Sequence, residues 1–397
     1  MKNIAILGNG VVGSGTARVL LSKAEKIKAE TGEDINLKYV FVRHDYEGCE
    51  YRDLFEYDYD TIKNDKEIDI VAEVMGGVHP AYEYVKDALM RGKSVVTSNK
   101  QLIAECGYEL MNIAKEKNVN LLFEGAVAGA VPVIHGIRNC LKANDVKRVY
   151  GIINGTTNYI LSKMISDGQS YADALKKAQE LGYAEADPSR DVDGIDSCRK
   201  LCILADIVYG NHIMPQSVNT IGIRDIEKTD TDILSQNKKA IKLLGYAAKA
   251  ENGKTVVCTE PFVVGDDSVL FATNDAFNAV AVDTDNADTI VFYGRGAGSF
   301  PTASAVVNDI VECINAENTI YPAWGEERND LLESYENFVF KHYVRADISA
   351  AKVKELFADA VILSEGEECA FLTSEMSENS LSEKLEGISV KAKYKTI

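Results

Sequence analysis

A short apolar run, Lys2-Asn-Ile-Ala-Ile-Leu7, passes directly into Gly8-Asn-Gly10-Val-Val-Gly13, and an amphipathic stretch over residues 16–30 follows. A strand, a glycine turn and a helix in that order specify a dinucleotide-binding βαβ unit. Gly8 permits the tight turn, Gly10 lets the backbone approach a pyrophosphate, and Gly13 allows close helix–strand packing, with the helix N-terminus facing the anion. The same alternation continues, with apolar runs at 37–42, 69–74, 94–97 and 120–124 and helical patterns at 81–91 and 102–117. The expected fold is α/β, with a Rossmann-type parallel sheet over 1–135.

Residues 136–300 change character, with helices expected near 160–166, 171–181 and 195–208 and strands at 146–153, 254–264 and 279–293. That mixture suits an α+β domain for substrate binding and dimerisation, built on an open, mostly antiparallel sheet. A helix over 304–315 falls in a stretch, about 301–320, that completes the first domain. Residues 321–337, with Pro322, Gly325 and several charges, read as a linker. Beyond it, strand, helix, hairpin about Gly366, helix and strand give the βαββαβ order of a small ferredoxin-like module over 338–397.

Lys and Arg number 43 against 61 Asp and Glu, a net charge of −18. A field of that sign repels phosphate backbones, so the expected partner is a small molecule, with neither nucleic acid nor an anionic membrane. No apolar run approaches the ~20 residues of a bilayer span, and the start lacks a signal peptide's cleavage region, so the expected compartment is cytoplasm. The 8 cysteines, scattered and without a Cys-x-x-Cys pair, read as reduced, mostly buried thiols.

At the end of the second strand stands Val42-Arg43-His44, where an NAD enzyme usually places Asp or Glu for the ribose hydroxyls. Arg43 suits a 2′-phosphate, so NADP is preferred to NAD, although Asp45 nearby could restore a ribose contact. Glu73-Val-Met-Gly76-Gly77 closes the next βα unit, where cofactor backbone approach is expected. Asp196 and Lys200 are four apart on a helix and share a face, which by spacing alone is an ordinary ion pair. The polar loop before them, residues 185–196, gathers carboxylates and Arg190 around Pro188 and Gly194. Such a loop suits the ammonium or hydroxyl end of an amino acid.

From Thr97-Ser98-Asn-Lys100 onward the chain resembles the homoserine dehydrogenase family, whose usual form there is Thr-Ala-Asn-Lys. The resemblance continues through Phe123-Glu-Gly-Ala-Val-Ala-Gly-Ala-Val-Pro132, Asn154-Gly-Thr-Thr-Asn-Tyr-Ile-Leu161 and Gly182-Tyr-Ala-Glu-Ala-Asp-Pro188. Asp191-Val-Asp-Gly-Ile-Asp196-Ser-Cys-Arg-Lys200 and Gly294-Arg-Gly-Ala-Gly-Ser-Phe-Pro-Thr-Ala-Ser304 complete it in family order. Ala186 stands where the family usually has Pro, and Ala128-Gly129 where Gly-Ala is common.

The resemblance implies reversible, NAD(P)-dependent interconversion of L-homoserine and L-aspartate 4-semialdehyde, on the path to threonine and methionine. It implies that Glu185 and Asp196 bind homoserine, that Asp191 supports the site, and that Lys200 transfers the proton beside Lys100 and Asp196. The cofactor would meet Gly8, Gly10, Val11, Val12 and Gly13, then Arg43, Gly76, Thr97, Ser98 and Lys100. Gly182, Glu185, Gly296 and Gly298 join that set. The loop 124–131 resembles the family's monovalent-cation loop, with Glu124 and the carbonyls of Val127, Gly129 and Val131 as ligands for structural sodium or potassium.

Residues 338–397 have the order of the family's ACT regulatory module, shortened, and Asp347-Ile-Ser-Ala-Ala-Lys-Val lacks the Asp-x-Pro-Gly turn of effector-binding forms. A structural or dimerising role is therefore expected ahead of threonine feedback. The enzyme is expected to be monofunctional, with no aspartate kinase domain ahead of residue 1, and a homodimer or homotetramer. Two other readings are a different Rossmann-fold oxidoreductase, such as a sugar or inositol dehydrogenase, and a non-catalytic amino-acid sensor. The first typically shows Glu-Lys-Pro where this chain has Ser98-Asn-Lys100-Gln, and the second has no need of both lysines.

Overall fold

The structure is a computed structural model that describes residues 1–316, 318 and 320–397. The chain forms two compact units, one of Met1–Ala143, Cys202–Pro215 and Gly294–Glu327, the other of Asn144–Leu201, Gln216–Tyr293 and Arg328–Ile397.

In the first unit the apolar runs become parallel strands β1 Lys2–Leu7, β2 Ile35–Phe41, β3 Phe55–Glu56, β4 Ile68–Glu73, β5 Ser94–Thr97 and β6 Leu121–Leu122, in the order β3-β2-β1-β4-β5-β6. Parallel strands are covered on both faces, which is why Ile4, Ala5, Ile6 and Leu7 form one uninterrupted buried run. β1 lies between β2 and β4, with Leu7 beside Phe41 on one side and Glu73 on the other. The strand order reverses there, so the turns after β1 and β4 face the crevice at the carboxyl edge of the sheet, where such folds bind ligands. Helix α1, Val11–Thr31, lies against the helix Ser299–Asn315, and Ser299 Oγ donates to Val11 O at 2.6 Å.

The stretch expected as a linker carries two buried aromatic anchors, Tyr321 and Trp324. Trp324 lies over Gly107 of the helix Lys100–Lys117, where an added Cβ would stand 2.5 Å from the indole Cζ2. The indole also stacks on His212 with centroids 6.3 Å apart, and Gly325–Glu327 pairs with Asn211–His212.

The second unit is a mixed sheet whose strands run in the order Thr289–Arg295, Phe277–Thr284, Val146–Ile152, Lys239–Lys249, Thr255–Gly265, Val390–Thr396, Val339–Ala346, Cys369–Leu372 and Val361–Ser364. The single strand expected at 279–293 is a hairpin, reversing where Thr284 N donates to Asp288 O at 2.8 Å. No element was expected at 239–249, yet Lys239–Lys249 is a central strand. Its Ala, Leu and Lys content favours helix locally, and pairing on both sides with Val146–Ile152 and Thr255–Gly265 overrides that preference. Helices Gly155–Ser166, Tyr171–Glu180 and Lys228–Gln236 supply Ile160, Ala174 and Leu234 to a core they share with Ile241, Leu243 and Val263.

The elements of 338–397 run strand, helix, strand, strand, the two-residue strand Met376–Ser377, helix and strand, one short strand more than the expected βαββαβ order, and they continue this same sheet, since Phe262 and Val263 pair in parallel with Lys395 and Thr396. Buried Lys395 is ion-paired to Glu260 across that junction.

Lys242, fully buried on the central strand, donates to Thr273 O at 2.6 Å, Asn274 Oδ1 at 3.0 Å and Asn158 Oδ1 at 3.1 Å, all neutral acceptors. Burial lowers its amine from 10.5 to about 7. As pH falls from 10.5 to about 7 the unfolded chain takes up a proton that the buried amine does not, so stability declines across that window. Lys242→Met is expected to remove about 2 kcal/mol of the decline between about pH 9 and pH 7, read as the difference between variant and parent urea midpoints at the two pH values. Equal pH slopes in parent and variant would refute this.

Candidate active site

The β1 strand ends at Leu7, and Gly8 after it, with a φ of +108°, starts the turn. A Cβ on Gly13 would lie 2.1 Å from Gly8 O, so the first turn of α1 closes onto the loop only with glycine there. Around Gly10 the space is open, and Val11 is exposed with Val12 half-buried behind it. Gly8, Gly10, Arg43 and Gly76 line one cavity of about 350 Å³ together with Met75 and Pro80. Arg43 is exposed on it, whereas the Asp45 carboxylate is taken by Arg52, whose Nε donates to it at 2.9 Å.

Beside this turn, Glu73 is fully buried and accepts from Met75 N at 2.7 Å, Gly76 N at 3.3 Å and the Thr97 hydroxyl at 2.7 Å. Burial raises its carboxyl above the usual range, and these donors pull it back. Thr97 Oγ1 also accepts from Asn99 N at 2.9 Å, and Asn99 Nδ2 donates to Gly77 O at 2.6 Å. Thr97 therefore shapes the turn from inside the protein, while Ser98 and Lys100 are half-buried at the head of the helix that Asn99 caps. Gly296 and Gly298 precede the helix Ser299–Asn315 in the same unit, next to the start of α1 through the Ser299–Val11 hydrogen bond.

The cation loop lies in this unit too. Glu124 is 7% exposed; its carboxylate accepts from Ile134 N at 3.0 Å and His135 N at 2.6 Å, and burial pushes it up to about 7. Its own amide donates to Asp309 at 2.8 Å. Val127 and Val131 are buried, and between them Ala128 and Gly129 adopt left-handed φ of 54° and 57°. Among the described residues no group of three or more His, Cys, Asp or Glu is arranged to hold a metal ion.

In the second unit, Lys200 and Asp196 are both buried at the start of the helix Ile195–Tyr209. Lys200 Nζ donates to Asp196 Oδ2 at 2.7 Å and to Ile153 O at 2.8 Å. Asn154, which the sequence reading passed over within its motif, joins Asp191 to Asp196, donating at 2.7 and 2.8 Å. Its signal was the Asn-x-x-Thr pattern of an N-cap at the head of a helix. Asp191 is half-buried, whereas Gly182 and Glu185 are exposed on the loop after Tyr171–Glu180. The unit thus holds a buried ammonium beside two carboxylates, a set able to move a proton and to hold a cationic group.

Residues 8–124 match the family model described as the homoserine dehydrogenase NAD-binding domain, and residues 132–311 match the model described as homoserine dehydrogenase. The chain belongs to the homoserine dehydrogenase family. The homoserine dehydrogenase of Lactococcus lactis is 37% identical over 350 residues, covering 86% of this chain and 81% of that one. A homoserine dehydrogenase crystal structure from Thiobacillus denitrificans superposes with a TM-score of 0.89 at 33% identity, covering 100% of this chain and 98% of that one. A hyperthermophilic archaeal homoserine dehydrogenase in complex with NADPH matches with a TM-score of 0.67 at 29% identity, over 80% of this chain and 99% of that one.

The protein is accordingly an oxidoreductase acting on a CH–OH group, interconverting L-homoserine and L-aspartate 4-semialdehyde with a nicotinamide cofactor. The same matches favour neither the sugar or inositol dehydrogenase nor the amino-acid sensor. Among the described residues no helix is long and apolar enough to cross a membrane.

Proposed function

We propose that Lys200 is the proton-transfer residue of the reaction, that Glu185, Asp191 and Asp196 bind homoserine, and that NADP is used in preference to NAD. The observation that carries the first assignment is the buried Lys200 ammonium held between Asp196 Oδ2 and Ile153 O. When bound, the nicotinamide supplies or accepts the hydride. In the reductive direction Lys200 meets the charge that develops on the aldehyde oxygen and passes it the proton on Nζ, and Lys100 keeps the catalytic role that the resemblance implies. In the oxidative direction Lys200 must receive the hydroxyl proton, which favours alkaline conditions.

The NADP preference is supported by Arg43 on the cavity beside Gly8 and Gly10, by the engagement of Asp45 with Arg52, and by the NADPH complex of the archaeal relative. The proposed cofactor set is otherwise the one the resemblance implies: Gly8, Gly10, Val11, Val12, Gly13, Gly76, Thr97, Ser98, Lys100, Gly182, Glu185, Gly296 and Gly298.

Glu124 and the carbonyls of Val127, Gly129 and Val131 would hold a structural sodium or potassium ion. A buried carboxylate and a left-handed turn at Ala128 and Gly129 suit hard-oxygen ligation. The domain division at 135, 300 and 337, a dimerising role for an ACT-like 338–397, a homodimer or homotetramer and a cytoplasmic place complete the reading.

The test is reduced-nicotinamide absorbance with homoserine and either NADP or NAD. The expected result is turnover that is faster with NADP, with Arg43→Ala narrowing the ratio. A higher rate with NAD would remove the preference, and an unchanged ratio in Arg43→Ala would remove Arg43's part in it.

A further inference from the structure

Asn154 stands where the strand Val146–Ile152, paired on both sides, gives way to the helix Gly155–Ser166. Its side chain is 4% exposed, and every hydrogen-bonding position of its amide nitrogen is used. Oδ1 accepts from Thr157 N at 2.8 Å and from Thr157 Oγ1 at 3.0 Å, which caps the helix. A backbone N–H facing Oδ1 fixes which end of the amide is oxygen, so Nδ2 necessarily points the other way. There it donates to Asp191 Oδ1 at 2.7 Å and to Asp196 Oδ2 at 2.8 Å. Asp196 Oδ2 is also the oxygen that accepts from Lys200 Nζ, and the third partner of this arrangement, Ile153 O, belongs to the residue before Asn154.

We infer that Asn154 is a positioning residue for the reaction: one neutral amide on a rigid strand end sets the spacing of Asp191 and Asp196 and, through Asp196, the place of the Lys200 ammonium. Two carboxylates converging on one point repel, and a neutral double donor lets them converge without adding charge. Among the residue types that prefer the N-cap position, only asparagine fills both halves of the task. Aspartate caps a helix as well as asparagine does but offers no hydrogen, and serine caps but has only one. The inference rests on the roles proposed above for Asp196 and Lys200.

The test compares Asn154→Asp, Asn154→Ser and Lys200→Ala, each purified and assayed with homoserine and NADP. Asn154→Ser is expected to keep the parent's circular dichroism, its Tm to within a few degrees and its KM for NADP, because the cap survives, whereas Asn154→Asp is expected to keep the fold and that KM at a lower Tm, because it crowds a third carboxylate into a buried cluster. Their kcat is expected to fall on the order of 10²-fold, the loss associated with a small misplacement of reacting groups. The fall should be larger in Asn154→Asp, which sets a third carboxylate beside Asp191 and Asp196, than in Asn154→Ser. A residue that served only as a cap would give the opposite order, with aspartate near the parent. Parental kcat in Asn154→Asp, or loss of the folded state in both variants, overturns the inference. Turnover retained in Lys200→Ala instead overturns the underlying assignment of Lys200, whatever the Asn154 variants do.

Discussion

Replacing Lys200 by alanine is expected to lower kcat for homoserine oxidation by about 10²–10⁴-fold, the range associated with a positioned general acid–base. NADPH fluorescence titration of the same variant should give the parent's affinity, because Lys200 is not among the residues proposed to hold the dinucleotide. The size of the effect follows from burial. Lys200 is 8% exposed and Asp196 is 4% exposed, and the ammonium is already held at 2.7 and 2.8 Å. A methyl group in its place has neither a proton to give nor charge to set against an alkoxide, and Asp196 loses a cation at hydrogen-bond distance. Turnover within about tenfold of the parent would rule out Lys200 as the proton-transfer residue.

Arg345→Ala is expected to destabilise the protein by about 3–5 kcal/mol, because it strands a buried carboxylate. Arg345 Nε donates to Asp230 Oδ1 at 2.7 Å, and its Nη2 donates to Asp230 Oδ2 at 3.0 Å and Glu227 Oε2 at 2.6 Å. Nη1 pairs with Glu368, and Tyr343 Oη donates to Asp230 Oδ1 at 2.7 Å. Asp230 is fully buried and the Arg345 side chain is 5% exposed, so solvent screens this pair little. Asp230→Asn in the same chain should recover part of the loss, since the stranded charge is then gone. The check is urea denaturation of parent, both single variants and the double variant. A loss below about 1 kcal/mol in Arg345→Ala would mean that the pair is screened like a surface ion pair.

Local chemistry made the first unit legible. A parallel sheet covered on both faces needs apolar runs, and a dinucleotide turn needs glycine where a Cβ would strike backbone, so Ile4 to Leu7 and Gly13 announce themselves in one dimension. The second unit was less legible. Lys239–Lys249 has the composition of a helix and becomes a strand because two neighbouring strands pair with it. Trp324 lies in a polar, charged stretch, and only the notch at Gly107 turns that stretch into an anchored one. For the candidate site, Asp196 and Lys200 were visible as an i, i+4 pair, but an exposed ion pair and a buried one have the same spacing. Asn154 and Glu73 were missed as site residues because what each does is set by partners distant in sequence, at residues 191 and 196 for one and 97 for the other.

By itself the sequence determined the dinucleotide turn, the alternation that builds a parallel sheet, and the chemical types of the site: two lysines, several carboxylates and a glycine-rich return segment. All of these depend on side-chain identity or on short-range periodicity, which a linear chain carries openly. Only the tertiary structure decided that Lys200 and Asp196 are buried, that one amide joins Asp191 to Asp196, and that residues 338–397 extend the sheet of the second unit through Lys395 and Thr396. Burial and long-range pairing are properties of what surrounds a residue, and the surroundings come from segments tens to hundreds of positions away.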